Sequence, residues 1–241
     1  MRSSSKKREG LEKIENDRHR PVNPMKTYRK YFQKAIEAHF PQNEDALMAD
    51  VDAGYRALQG DVRFSRSSKN PMDRRLDIAA YFLSLIEVLD GRGESFERIR
   101  QICLEIAQDY VRPKTRFQAW RKRLPVKLIG SRISRVLLRY LDRKLGERGH
   151  PDGFVSRIVT DKDETFGLGY GVDILECGIC KLFERHGYGK YASILCEVDY
   201  VTSGIAGLTL VRSGTIANGA DKCDFRFKRE RPADPVMPVS T

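Results

Sequence analysis

Apolar residues recur at three- and four-residue intervals in most of residues 25–145 and at two-residue intervals only in short runs near the end. The first spacing is that of one helix face, the second that of a half-buried strand. Residues 25–39 place Tyr28, Tyr31, Phe32, Ala35 and Ile36 on one stripe, and Pro41 ends that helix. Residues 44–59 repeat the pattern with Leu47, Val51, Tyr55 and Leu58, and Gly60 fits the C′ position of a helix end. The polar run 61–70 is expected to be a loop. Asn70 before Pro71 supplies a cap and a first-turn proline for a long helix carrying Leu76, Ala79, Ala80, Leu83, Ile86 and Leu89 inward, with a stop at Gly91.

Ser95 is placed to cap the next helix, whose inner positions are Phe96, Ile99, Ile102, Cys103, Ile106 and Tyr110, and Pro113 closes it. Residues 129–145 form an amphipathic pattern with Ile129, Ile133, Val136, Leu137, Tyr140, Leu141 and Leu145 inside and arginines outside. The texture changes after the turn residues 149–153. Runs 153–160 and 166–175 are short and β-rich, separated by a charged turn. Two helices follow, 177–185 and 191–203, and then two strands, 207–216 and 223–228. The fold class expected is α+β: a helical N-terminal half on a small antiparallel sheet, with two helices inserted in the C-terminal half. The regions are a flexible arm (1–24), a helical part (25–149), an α+β part (150–230) and a disordered tail (231–241), with 25–230 as one domain.

Composition adds limits to this picture. Of 241 residues, 40% are hydrophobic and 32% charged, as in ordinary globular proteins. No run approaches the roughly 20 apolar residues of a membrane span, and the basic N-terminus has no apolar segment behind it, so a cytoplasmic location is expected. Five cysteines in that setting read as reduced thiols. The net charge of +11 is local: residues 112–144 hold twelve Lys or Arg and a single Asp. A basic segment with one Trp loosely suits nucleic acid, but no recognised module is present. A solvated helix face is the simpler account, and attraction of an anionic substrate is a further alternative.

The chemistry is concentrated between residues 176 and 228, which hold Cys177, Cys180, Cys196 and Cys223. Cys177 and Cys180 have the spacing of a metal pair, but Cys196 and Cys223 stand alone, so no metal is expected. A redox C-x-x-C would want a thioredoxin-like βαβ setting, which the pattern lacks. A nucleophilic thiol fits better. Cys177 lies where a strand hands over to a helix, and the positive helix end favours a thiolate. Cys196 has Asp199 one turn on, a carboxylate placed to orient it or move a proton. Cys103, on an apolar face, reads as a small buried hydrophobe.

Cys177, the C-x-x-D of Cys196 and Asp199, the run L-V-R-S-G-T-I-A-x-G at 210–219 and the C-D-F-R of 223–226 together resemble the L-2-amino-thiazoline-4-carboxylate hydrolase-like family. The closing G-x-x-x-C-D-F also looks like the end of vinyl-reductase-type small-molecule-binding domains. The first resemblance implies a hydrolase that opens a small carboxylate-bearing cyclic amidine without a cofactor, breaking a C–N or C–S bond. Cys196, Asp199, Cys177 and Cys223 are then the catalytic candidates. Arg212 and Arg226 suit a substrate carboxylate, because the guanidinium fork donates two parallel hydrogen bonds. Asp199 and Asp224 suit a protonated amidine, and Thr215 is a further binding candidate. On a period-2 strand, however, Cys223 faces opposite to Asp224 and Arg226, so only one set faces a given pocket. The same fold acting on another heterocycle or amide, or a domain that binds a small molecule without chemistry, are the alternative readings. The expected partner is the small-molecule substrate; a homo-oligomer is compatible with the sequence.

Overall fold

The protein is seen in a computed structural model that describes residues 24–129 and 132–229. The expected arm (apart from Pro24) and the tail lie outside the described residues. Eight α-helices and four strands follow in order. They are α1 (Pro24–His39), α2 (Glu44–Val62), α3 (Arg75–Gly91), α4 (Phe96–Val111), α5 (Arg116–Leu128), α6 (Arg132–Gly146), β1 (Val155–Val159), β2 (Gly171–Glu176), α7 (Gly178–Arg185), α8 (Ala192–Ile205), β3 (Leu208–Val211) and β4 (Cys223–Arg229). The strands make one antiparallel sheet in the order β1-β2-β4-β3. The fold is α+β, mostly helical, with α7 and α8 inserted between the second and third strands.

Helix α3 is the central rod. Beyond the six positions read from the sequence, Tyr81, Phe82 and Leu85 are also buried, so the helix is apolar nearly all round, as a fully enclosed helix must be. It packs against α1, α2, α4 and α7. One continuous cluster of buried side chains runs from Phe32 in α1 to Phe227 in β4 and joins the helices to the sheet. Ser95 caps α4 by accepting from the Arg98 N–H, and Cys103 is fully enclosed in that helix.

Five local expectations need correction. Helix α2 does not stop at Gly60 but continues to Val62, because Val62 is itself buried. The expected 61–70 loop is instead partly ordered, with a 3-10 turn at Arg63–Arg66. The strand expected over 207–216 ends at Val211. The Asp224 carboxylate takes the N–H groups of Ser213 and Gly214, so the backbone leaves the ladder there. Finally, α6 presents Val136, Leu137 and Tyr140 outward. Its other side is pinned to β1, where Asp142 accepts from the Ile158 N–H at 2.6 Å. Of the remaining inner positions, Leu145 is buried, Ile129 and Leu141 are half-buried, and the Ile133 side chain lies outside the described residues. Tyr110, expected inside α4, is partly exposed.

Two buried polar residues connect the halves. Asn70 caps the 3-10 turn Pro71–Arg74 through the Met72 N–H. Its amide also donates to the carbonyls of Leu145, Glu147 and Phe154, at 3.1, 3.3 and 2.8 Å. Asp73, three residues on, accepts from the Phe154 N–H at 2.8 Å and from the Ser68 hydroxyl. On the outer face of the sheet, Asp173 is fully buried under Arg157, Lys222 and Arg226. Burial alone would raise its carboxyl, but hydrogen bonds from Lys222, Arg226 and Arg157 prevail and hold it at about 2.

Asn70→Ala strands three carbonyls and one N–H in the interior. It should cost at least about 2 kcal/mol, a fall in Tm of roughly 4–8 °C for a chain of this size; an unchanged Tm would show that the node is dispensable. Asp173 has a folded-state value below its unfolded one. Its stabilisation is therefore complete above about pH 4 and is lost as pH falls toward 2, with a magnitude on the order of 2 kcal/mol. The stability gap between wild type and Asp173→Asn should accordingly shrink across that window in denaturant melts. A gap independent of pH would refute the assignment.

Candidate active site

Helices α3, α4, α7 and α8 and the inner face of the sheet enclose a cavity of about 270 Å³. Cys177, Cys180, Cys196, Cys223 and Asp199 all line it, and Arg75 stands at its edge. The remaining wall is mainly apolar, with Ile78, Phe82, Phe154 and Phe225 among its members. A second cavity of about 270 Å³ adjoins it and shares Arg75, Asp199, Thr202 and Phe225. A larger cleft lies at the far end of β4 and contains none of these groups.

Local sequence explains how each group reaches the cavity. Cys177 ends β2 in extended conformation and is the N-cap of α7, so its sulfur lies over the first-turn N–H groups. Cys180 is one turn further along the same helix. The Cys180 thiol and the N–H groups of Cys180 and Ile179 favour the Cys177 thiolate and hold this thiol below its usual range, against the effect of burial. These contacts are polar but loose, and none closes a side-chain cap of ordinary geometry. Cys180 moves the opposite way, raised by its contact with Cys177 and by burial. The pair therefore divides into one thiol poised to ionise and one that stays protonated.

Cys196 and Asp199 share a face of α8. Burial, followed by the Asp199 charge, pushes the Cys196 thiol up to about 12, and its S–H turns back toward the Ala192 carbonyl at 3.8 Å. Cys223 is also raised by burial, although its sulfur accepts from the Ile216 N–H at 3.2 Å. Burial lifts the Asp199 carboxyl above its usual range, with Arg75 and Arg212 pulling it back in part. Arg212 is the buried support of this wall. It donates to Asp199 at 3.3 Å and to the Cys196 carbonyl at 3.2 Å, and its guanidinium is 5.2 Å from the ring centres of both Tyr200 and Phe225. All four cysteines are free thiols.

The alternation along β4 separates the remaining candidates. Cys223, Phe225 and Phe227 turn toward the helices, while Asp224 and Arg226 lie on the other face. Arg226 is bound to Asp173 at 2.8 Å in the outer ion network. Asp224 holds the 213–214 turn through the Ser213 hydroxyl and two backbone N–H groups. The structure does not bring either into the cavity. Thr215 is buried outside the cavity lining, and its hydroxyl has no hydrogen-bond partner among the described residues.

Two residues of the site were not read from the sequence. Arg75 is exposed at the start of α3 and its side chain makes no hydrogen bond or ion pair with any described residue. A signal was present: Arg74 and Arg75 open a helix whose first turn favours acids, so a cation there opposes the helix dipole. Cys180 was read as half of a metal-like or redox C-x-x-C pair and not as a site residue, because its influence on Cys177 appears only when both flank one helix start. Among the described residues, no three His, Cys, Asp or Glu side chains are arranged to hold a metal ion. No described helix is long and apolar enough to cross a membrane.

No curated protein and no solved structure matches the chain. A family model described as L-2-amino-thiazoline-4-carboxylic acid hydrolase matches residues 75–227. That span begins at Arg75 and contains every cavity cysteine, Asp199 and Arg212. With the match covering more than half of the sequence, the chain belongs to the L-2-amino-thiazoline-4-carboxylic acid hydrolase family.

Proposed function

We propose that the protein hydrolyses a small cyclic amidine bearing a carboxylate, of the 2-amino-thiazoline-4-carboxylate type, with Cys177 as nucleophile. The observation that carries this reading is that Cys177, at the N-terminus of α7, and Asp199, held by Arg212, line one apolar cavity. The Cys177 thiol is held down and the Asp199 carboxyl is held up. Shifts in these directions suit a thiolate nucleophile at Cys177 and a proton-donating carboxyl at Asp199. The family's name supports the substrate class. Cys196, the first candidate on sequence grounds, is a weaker nucleophile here, because its thiol is driven up to about 12.

In this mechanism the substrate carboxylate pairs with Arg75, whose guanidinium has no partner among the described residues to give up. The Cys177 thiolate adds to the amidine carbon, C2, to form a tetrahedral centre. The C2–S ring bond then breaks and the departing sulfur takes a proton from Asp199. A thiolate leaves more readily than an amide nitrogen, which favours C–S over C–N cleavage. The ring-opened chain is now joined to Cys177 through an isothiourea. Asp199, as carboxylate, removes a proton from water as the oxygen adds to the same carbon. Expulsion of the Cys177 thiolate leaves a urea and a free thiol on the product. Arg212 is a positioning residue that holds Asp199.

Steady-state kinetics on 2-amino-thiazoline-4-carboxylate should show kcat reduced by orders of magnitude in Cys177→Ser, with little change in Tm. Asp199→Asn should lose on the order of 10²–10⁴ in kcat. Cys196→Ser should retain most activity, and Cys103→Ser should affect stability alone. Full activity in Cys177→Ser together with its loss in Cys196→Ser would move the nucleophile to Cys196. Binding without turnover in the wild type would make the cavity a binding site only. A new thiol in the product reports C–S cleavage, and a new amine reports C–N cleavage.

Arg75 is checked separately. Arg75→Gln should raise KM more than it lowers kcat, by roughly 10–100-fold for loss of a charged hydrogen bond. Removing this cation disfavours the Asp199 carboxylate, so the Asp199 carboxyl should titrate at higher pH in the variant by ¹³C NMR. An unmoved titration would place Arg75 too far away to act on it.

A further inference from the structure

A cleft of about 890 Å³ lies between α6, the 160–169 turn and the end of β4, and none of its lining belongs to the site above. Four cations line it: Arg139 from α6, Lys162 from the turn, and Lys228 and Arg229 from β4. Among the described residues, no acidic side chain does. The side chains of these four cations make no hydrogen bond or ion pair with a described residue. Acids on the same elements are committed elsewhere. Asp142 holds the Ile158 N–H, Asp161 holds the N–H groups of Asp163 and Glu164, and Glu164 faces Arg226. Asp163 is exposed and does not line the cleft.

Like charges gathered with no counter-charge among the described residues repel one another, so the described fold alone gives no reason to place them together. Most other cations around the sheet are paired, as Arg157, Lys222 and Arg226 are with Asp173. The turn adds a second, independent sign. Phe166 has φ of 53° and is half exposed, flanked by Gly167 at 78° and Gly169 at 70°. A bulky side chain in the left-handed region is strained, and such strain concentrates at ligand sites. Its ring lies 4.3 Å below the Lys228 ammonium, which orders that cation without neutralising it. Thr160, also in the lining, offers a hydroxyl at the same rim.

We propose that this cleft binds a small multiply charged anion, a ligand carrying two or more linked phosphate groups. A single phosphate would engage only part of a surface built from three separate elements. A concave cleft walled by four cations suits a compact oligoanion better than an extended polymer, which would follow a stripe. Guanidinium forks at Arg139 and Arg229 and point charges at Lys162 and Lys228 supply both bidentate and rotatable donors.

The test is isothermal titration of the full chain with tripolyphosphate at low salt. Expected is one ligand per chain, with an affinity that falls steeply as salt rises. Inorganic monophosphate should bind at least tenfold more weakly. The cleft variant Arg139→Ala with Lys228→Ala should weaken tripolyphosphate binding at least tenfold, and Lys162→Glu, a charge reversal on an exposed turn, should do the same. Arg121→Ala with Arg123→Ala, which removes equal charge from α5, should leave binding within twofold of wild type. Absence of binding at millimolar tripolyphosphate would overturn the proposal. So would equal losses in the cleft and α5 variants, which would reduce the effect to diffuse charge. Tighter binding of a short single-stranded oligonucleotide, weakened equally by the α5 pair, would overturn it in favour of a nucleic-acid surface.

Discussion

The buried polar node of Asn70 and Asp73 is the constraint from which the rest of the geometry follows. These two side chains tie a single turn at the head of α3 to the end of α6 and to the first residue before β1. Each group is satisfied, so the node costs little to bury and is specific in its geometry. It also requires close approach. A Cβ on Gly153 would lie 2.7 Å from an Asp73 oxygen, and one on Gly149 would lie 2.5 Å from the Ser68 hydroxyl. The 149–153 turn is therefore glycine-bearing because the node occupies the space that side chains would need. Nearby, a Cβ on Gly178 would meet the Asp152 carbonyl at 2.9 Å, so the start of α7 is drawn to the same point. Arg75 and Cys177 both sit next to this fixed point, and their relative placement is set by the fold rather than by contact between them.

The cavity then sorts chemically similar groups by position. Four thiols share one apolar space, and three of them are raised, Cys180 by its contact with Cys177 and by burial, Cys196 and Cys223 chiefly by burial. Only Cys177 stands at the start of a helix with a thiol partner beside it, and only Cys177 is lowered. Asp199 is raised by the same apolar surroundings that would otherwise suppress a thiolate. One desolvated space thus has opposite consequences for the two groups, and the Cys180 thiol, helped by the N–H groups that open α7, decides which thiol escapes the general trend. Arg212 stabilises this arrangement from behind. Its guanidinium is enclosed beside two aromatic rings, so its bonds to α8 are shielded from solvent competition.

Much of the fold was legible because it rests on periodicity. The α1, α2, α3 and α4 stripes, the Ser95 cap and the β4 alternation are all written in spacing, and the structure follows them. What could not be read depends on partners distant in sequence. The outward turn of Val136, Leu137 and Tyr140 depends on Asp142 reaching the Ile158 N–H, a choice that the amphipathic pattern of α6 does not record. The early end of β3 depends on Asp224 capturing backbone groups ten and eleven residues away. In the site, Cys177, Cys196, Cys223 and Asp199 were legible as a local concentration of chemistry. Arg75 was not, because it lies a hundred residues from the nearest of them and its helical spacing carries no mark of what it faces.

Strand β4 shows how one short segment serves three environments. Its inner face sends Cys223, Phe225 and Phe227 toward the helices, and its outer face sends Asp224 and Arg226 into a supporting turn and an ion network. Its last two residues, Lys228 and Arg229, leave both faces for the basic cleft. Because side chains alternate, a register slip of one residue against β2 would exchange the first two sets. Arg226 would then enter an apolar cavity without Asp173, and Cys223 would leave the wall it shares with Cys177. The cost of a buried unpaired guanidinium makes that slip strongly unfavourable. The outer Asp173 network therefore fixes the inner cavity, although none of its members lines it.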